Sequence, residues 1–244
     1  MKWVNVFFII AVIAVNTLAN ALPINGMNTG EISTLYPNLF VPAGITFSIW
    51  SVIYLGLIGF TLFPFISGKH VEPSLNRKFL LTCFLNVSWI FAWHYLLVEL
   101  SLFIMLAFLI TLYRIYLRQR PQDRLFNWLV YIPLNLYFAW ICVATIANFT
   151  AVFVHWNIEL PYPIIATIIL IIVTQLLVWL VNSNRPEPSF SAVIIWALSG
   201  IIIKRFSSSP FYLEIIIAAG LGIFFTLSYT IIAYRNQSIR SNPV

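Results

Sequence analysis

Tryptophan and asparagine recur inside apolar stretches of the first 160 residues, most tellingly as Pro42-Ala43-Gly44-Ile45-Thr46-Phe47-Ser48-Ile49-Trp50, Asn86-Val87-Ser88-Trp89 and Trp140-(x)3-Ala144-Thr145-(x)2-Asn148. Lipid contact gives no reason to prefer Trp over Leu away from the membrane interfaces. An amide in hydrocarbon is costly unless it is hydrogen-bonded. The spacing is helical: Phe47, Trp50 and Tyr54 share one face, as do Asn86, Trp89 and Trp93, and Trp140, Ala144 and Asn148. Ala144, Ala147 and Ala151 form an adjoining small-residue face that lets a neighbouring helix or a flat ligand approach. The chemistry this points to is stacking on a planar surface oriented by amide hydrogen bonds, which is binding rather than catalysis. The competing reading is that the aromatics pack on one another and the amides pair across helices.

Other reactive residues carry less. His94 and His155 fall near helix ends, where a histidine bonded to water or headgroups is the ordinary case and an axial haem ligand the rarer one. His70 sits in a basic loop. Cys83 and Cys142 both lie in apolar runs, which speaks against a disulfide framework. No His/Cys/Asp/Glu cluster has metal-ligand spacing, so no metal site is expected. Hydrolase, phosphate-loop and dinucleotide motifs are missing from the sequence. Mid-membrane charges, the usual requirement of proton- or ion-coupled transport, are missing as well; Glu214 belongs to the first turn or so of the last run.

The elements that must position these side chains are membrane helices. The chain is 61% hydrophobic and 8% charged, with a mean hydropathy of +0.94, far from a soluble domain. Apolar runs of spanning length recur at about 3–22, 45–66, 79–97, 101–117, 127–154, 162–182, 190–203 and 212–234. The expected fold is therefore all-α, a polytopic transmembrane bundle of about eight spans. The seventh run is short and also reads as a re-entrant segment. The first imitates a signal peptide ending in Ala19-Asn20-Ala21, but reads better as an uncleaved span leading through Leu22-Pro23 into a long loop, Pro23 to Val41. With the N-terminus inside, eleven basic residues fall on inner loops and two, Lys204 and Arg205, on outer ones. That bias predicts both termini on the cytoplasmic side. The net charge of +6 is dispersed over short loops and does not suggest nucleic-acid binding.

Taken in order, Tyr36-Pro37, Pro42 to Trp50 with Tyr54, Asn86 to Trp89, and Trp140 to Asn148 resemble the tryptophan-rich sensory protein family. This is the TspO/MBR family, also called the translocator or peripheral-type benzodiazepine receptor family. The resemblance covers about residues 1–157 and implies a five-helix bundle that binds porphyrins, sterol-like lipids and flat aromatic ligands near the first loop. It implies pocket positions at Trp50, Asn86, Trp89, Trp140, Ala144 and Asn148, with Tyr36 and Phe40 as a loop lid. The helical faces add Phe47, Tyr54 and Trp93. In some relatives the tryptophan matching Trp50 is implicated in porphyrin photodegradation, which makes Trp50 the one candidate for chemistry. Residues 158–244 add about three spans that the five-helix family lacks. The family's sterol motif is missing after the fifth span, since Val152 to Leu160 holds no Lys or Arg; Leu112, Tyr116 and Arg118 give a loose match elsewhere.

The expectation is a membrane receptor or sensor, with 1–157 as the ligand-binding bundle and 158–244 of unassigned role. Membrane lipid and a planar hydrophobic molecule are the expected partners. No cofactor is required, though a tetrapyrrole is a candidate ligand, and the resemblance also admits a homodimer. The alternatives are a small-solute transporter or permease subunit and a porphyrin-degrading activity at Trp50. A bacterial or archaeal plasma membrane is the expected location.

Overall fold

A computed structural model describes residues 2–22, 24–158 and 163–241. Eight long helices follow one another: α1 (Lys2–Ala21), α3 (Ile49–Ile66), α4 (Pro73–His94), α5 (Val98–Arg118), α7 (Ile132–His155), α8 (Pro163–Asn184), α9 (Pro188–Phe206) and α10 (Leu213–Ser241). Two short ones, α2 (Thr29–Thr34) and α6 (Arg124–Phe126), sit between them, and no strand occurs among the described residues. The protein is an all-α polytopic helix bundle. Among the described residues seven helical stretches are long and apolar enough to cross a membrane, and α4 is the long helix left out of that set. Its first turns carry Asn76, Arg77 and Lys78, which explains why the apolar run at 79–97 begins later than the helix does. The seventh run, short in sequence, is a helix of 19 residues long enough to cross, because polar residues at both ends extend it beyond the apolar stretch.

The chain divides into two compact units, residues 1–37 with 48–157, and residues 38–47 with 158–244. In the first unit α5 packs on α4 and α7, α1 on α3 and α4, and α3 on α7. The face of α1 that turns inward is Asn5, Ile9, Val12, Asn16 and Ala19, a four–three alternation that keeps one stripe in register with its neighbours. Two amide rungs tie that stripe to α4. Asn5 Nδ2 donates to Asn76 Oδ1 at 2.7 Å, and Asn16 Nδ2 donates to Asn86 Oδ1 at 2.7 Å. Both rungs climb with residue number on both helices, so α1 and α4 run parallel. Asn5 and Asn16 are about 16 Å apart along the axis at the α-helical rise. Helix α4 therefore accompanies α1 through the bundle despite its lower apolarity. Where α3 meets the α6–α7 region, Gly56 and Gly59 let the backbones close up; a Cβ on Gly56 would stand 2.9 Å from Pro133 Cβ. A wide turn at residues 127–131 precedes Pro133, whose ring cannot join the helical hydrogen-bond ladder.

The long loop after α1 is ordered by side chains. Asn28 and Glu31 form a reciprocal capping box at the start of α2, Asn28 Oδ1 accepting from the Glu31 N–H and Glu31 Oε2 from the Asn28 N–H. On another loop, Lys69 pairs with Asp123 and the Phe126 N–H also points at that carboxylate. Together they hold the Asp123 carboxyl below its ordinary range.

The second unit is a three-helix cluster in which α10 packs on α8 and α9. Residues 38–47 belong to it. Asn38 Oδ1 accepts from the N–H groups of Phe40 and Val41, folding the segment back on itself. The Ala43 N–H donates to the Gly200 carbonyl at 3.0 Å and Trp196 Nε1 donates to the Thr46 carbonyl at 2.8 Å. Trp196 and Gly200 are four residues apart on α9 and so present one face to the segment. Gly200 is there because nothing larger fits: a Cβ would stand 2.0 Å from Thr46 Oγ1 and 2.9 Å from Pro42 Cβ. At the turn between α8 and α9, Glu187 is buried against Arg185, and Asn182 Oδ1 accepts the Glu187 N–H.

Candidate functional site

Nine of the residues singled out in the sequence belong to the first unit: Tyr36, Trp50, Tyr54, Asn86, Trp89, Trp93, Trp140, Ala144 and Asn148. They form two aromatic groups, each built around a buried amide. In the first, the half-buried Trp50 ring stacks on Tyr54 (5.3 Å, 20°) and meets Tyr137 and Trp140 edge-on at 6.0 and 6.2 Å. Asn86 stands beside them with both ends of its amide engaged. Its Oδ1 accepts from Asn16 and its Nδ2 donates to the Tyr137 hydroxyl at 3.1 Å. The Tyr54 hydroxyl is sealed from solvent and approaches Asn86 without the geometry of a hydrogen bond.

In the second group Trp89 stacks on Trp93 (5.7 Å, 16°), and Tyr36 lies against Trp93 at 5.7 Å. Trp89 Nε1 donates to Asn148 Oδ1 at 2.9 Å, and Asn148 Nδ2 donates to Ser101 Oγ at 2.9 Å. Trp93 Nε1 reaches the Thr29 carbonyl. Burial pushes the Tyr36 phenol up, and the charge of Glu99 adds to that shift. Ala144, half-buried on α7, lies between Trp140 and Asn148 in the sequence of that helix. Phe40 and Phe47 belong to the other unit, with the segment held by α9.

Sequence reasoning passed over several members of these groups. Asn16 completes the Asn86 bridge, Tyr137 is the phenol that Asn86 contacts, and Ser101 is the partner of Asn148. Signals for two of them were present: Asn16 falls on the inward stripe of α1, and Tyr137 precedes Trp140 by three residues on the same face of α7. His94 differs from the interfacial histidine expected. It is 0% exposed, with Nδ1 3.1 Å from the Ile24 carbonyl and Nε2 3.0 Å from Thr29 Oγ1, and its own carbonyl accepts from Asn25. Both ring nitrogens are thus occupied by the loop after α1, and the histidine pins that loop to the end of α4. His155 is half-exposed and lies 3.5 Å from Glu99, which also accepts from Trp156 Nε1. Among the described residues, no group of three His, Cys, Asp or Glu side chains could hold a metal ion.

A family model described as TSPO-like protein matches residues 2–232. The chain belongs to the TSPO-like protein family. The match runs through α8, α9 and most of α10 as well as the five helices that carry the tryptophan and asparagine motifs. No curated protein and no solved structure matches the chain at a significant level. For this TSPO-like protein the loose sterol pattern on α5 has a packing role: Tyr116 is buried and stacks on Phe138 of α7 (5.4 Å, 19°).

Proposed function

We propose that this TSPO-like membrane protein is a receptor or sensor whose first unit binds a planar hydrophobic ligand, a tetrapyrrole or a sterol-like molecule, beside Trp50. The observation that carries this is the state of the Trp50 ring. It is half-buried and braced by Tyr54, Tyr137 and Trp140, so a rigid aromatic surface is held in place with part of it uncovered. Aromatic surfaces held rigid bind flat partners without first losing side-chain freedom. The amides nearby are spent on helix-to-helix bonds, so their part is to hold the helices that carry the rings.

Titrating the detergent-purified chain with a porphyrin and following tryptophan fluorescence tests the reading. Trp50→Ala is expected to weaken binding about 2- to 10-fold, the effect of roughly 0.5–1.5 kcal/mol for one stacked ring. Trp179→Ala, in the other unit and 52% exposed, should leave it unchanged. Equal losses in both variants, or no saturable quenching in the wild type, would refute the site. Ala144→Leu separates two roles on α7. Loss of binding with unchanged apo melting places Ala144 against ligand. Lower melting with affinity retained makes it a helix contact and removes it from the site.

The charge bias further leads us to place both termini on the cytoplasmic side. Single cysteines at Thr34 and Gln237, both exposed, should then react with impermeant reagents from opposite faces. The native Cys83 and Cys142 are buried and give little background. Labelling from the same face would overturn the assignment.

A further inference from the structure

Helix α9 ends on Lys204, Arg205 and Phe206. Arg205 is only 6% exposed, and its Nε is sealed from solvent with no hydrogen-bond partner. No carboxylate pairs with it among the described residues, and Tyr212 lies nearby without bonding to it. The chain treats its other deeply set arginine differently, closing Arg185 against Glu187. A guanidinium N–H buried without a partner is disfavoured, because Nε gives up water with no hydrogen bond in return. The end of a helix favours a cation, but serine hydroxyls already engage three of the carbonyls there. Ser207 Oγ shares its one hydrogen between the carbonyls of Ile203 and Lys204, and Ser208 Oγ donates to that of Arg205 itself.

The surroundings suit an anion at the level of the lipid headgroups. Lys204 is exposed, and so are Ile203, Phe206, Phe211 and Leu213, with Phe206 and Phe211 edge-to-face at 6.0 Å. Exposed aromatics beside basic side chains at the end of a membrane helix suit the level of the lipid headgroups. A guanidinium presents two parallel N–H donors to an oxyanion, the geometry that recognises phosphate. We propose that Arg205 anchors a phosphate-binding site at the C-terminal end of α9, filled by the headgroup phosphate of an anionic phospholipid, with Lys204 supplying a second positive charge. This site lies within the second unit and does not depend on the ligand proposed for the first.

The test uses the full chain in phosphate-free maltoside micelles, alone, with added phosphatidylglycerol, or with inorganic phosphate at matched ionic strength. Phosphatidylglycerol is expected to raise the wild-type melting temperature by about 2–4 °C and to remain bound in native mass spectra. Arg205→Gln should abolish both effects, yet melt at or above the wild type in the lipid-free micelles, where no phosphate is offered to Arg205. Arg205→Lys keeps the charge without the fork, and covers the case in which the neutral variant does not fold. It should retain less lipid than the wild type. A response to inorganic phosphate alone would keep the site and make its occupant a soluble phosphate. No wild-type response to either probe, an undiminished response in Arg205→Gln, or full lipid retention in Arg205→Lys would overturn the proposal.

Discussion

Asn86→Leu should lower the melting temperature more than any other single change in the first unit. The amide joins α1, α4 and α7 through Asn16 and the Tyr137 hydroxyl. Leucine fills similar space and favours helix, so the loss isolates the hydrogen bonds. Leaving a buried polar group unsatisfied costs about 1–3 kcal/mol, although single interhelical bonds in membranes average nearer 0.6 kcal/mol. Asn16 keeps its bond to the Val12 carbonyl, so the heavier loss falls on Tyr137. A double-mutant cycle with Asn16→Leu, followed by thermal melting, measures the bridge. The paired substitution should cost less than the sum of the two singles. Additive losses would mean that the bridge contributes nothing of its own.

Gly200→Ala is the second large effect, and it acts in the other unit. One methyl group would stand 2.0 Å from Thr46 Oγ1 and 2.9 Å from the Cβ atoms of Thr46 and Pro42. Either the 38–47 segment leaves α9, breaking the Ala43 and Trp196 hydrogen bonds, or the helix shifts. Overpacking of this kind costs about 1–3 kcal/mol. Hydrogen exchange across residues 38–47 should rise together with the loss in melting temperature. Adding Thr46→Gly removes two of the three close approaches and should recover part of both. Exchange and melting unchanged in Gly200→Ala would show that the segment does not depend on this contact.

The helices themselves were legible in the residues, because spanning length and apolarity act locally. The run at 190–203 read short only because Lys204, Arg205 and the Pro188-Ser189 start extend its helix without adding apolarity. The aromatic faces were legible too, since three- and four-residue spacing fixes which side chains share a side. Partners were harder. Nothing in the spacing of α4 says that Asn86 meets Asn16 rather than a ligand, since that choice depends on which helices become neighbours. The pairing of residues 38–47 with α9 is of the same kind. It joins Thr46 to Trp196 across 150 positions, and no local pattern records it. Phe40 belongs to that same segment, grouped with the helices of the second unit.

That long-range pairing constrains how the protein is made. Pro42 to Thr46 leave the ribosome long before Trp196 and Gly200 exist, so the segment spends most of synthesis without the surface that receives it. Five helices can be inserted in that interval while a short stretch between the first two long ones stays undocked. Closing a loop of that length carries an entropic cost that grows only slowly with chain length, so the delay is a matter of timing rather than of stability. A chain cut after residue 157 would keep every tryptophan and asparagine of the first unit yet leave residues 38–47 without a seat. Such a fragment is a different object from a natural five-helix protein, whose corresponding segment has never had an α9 to wait for.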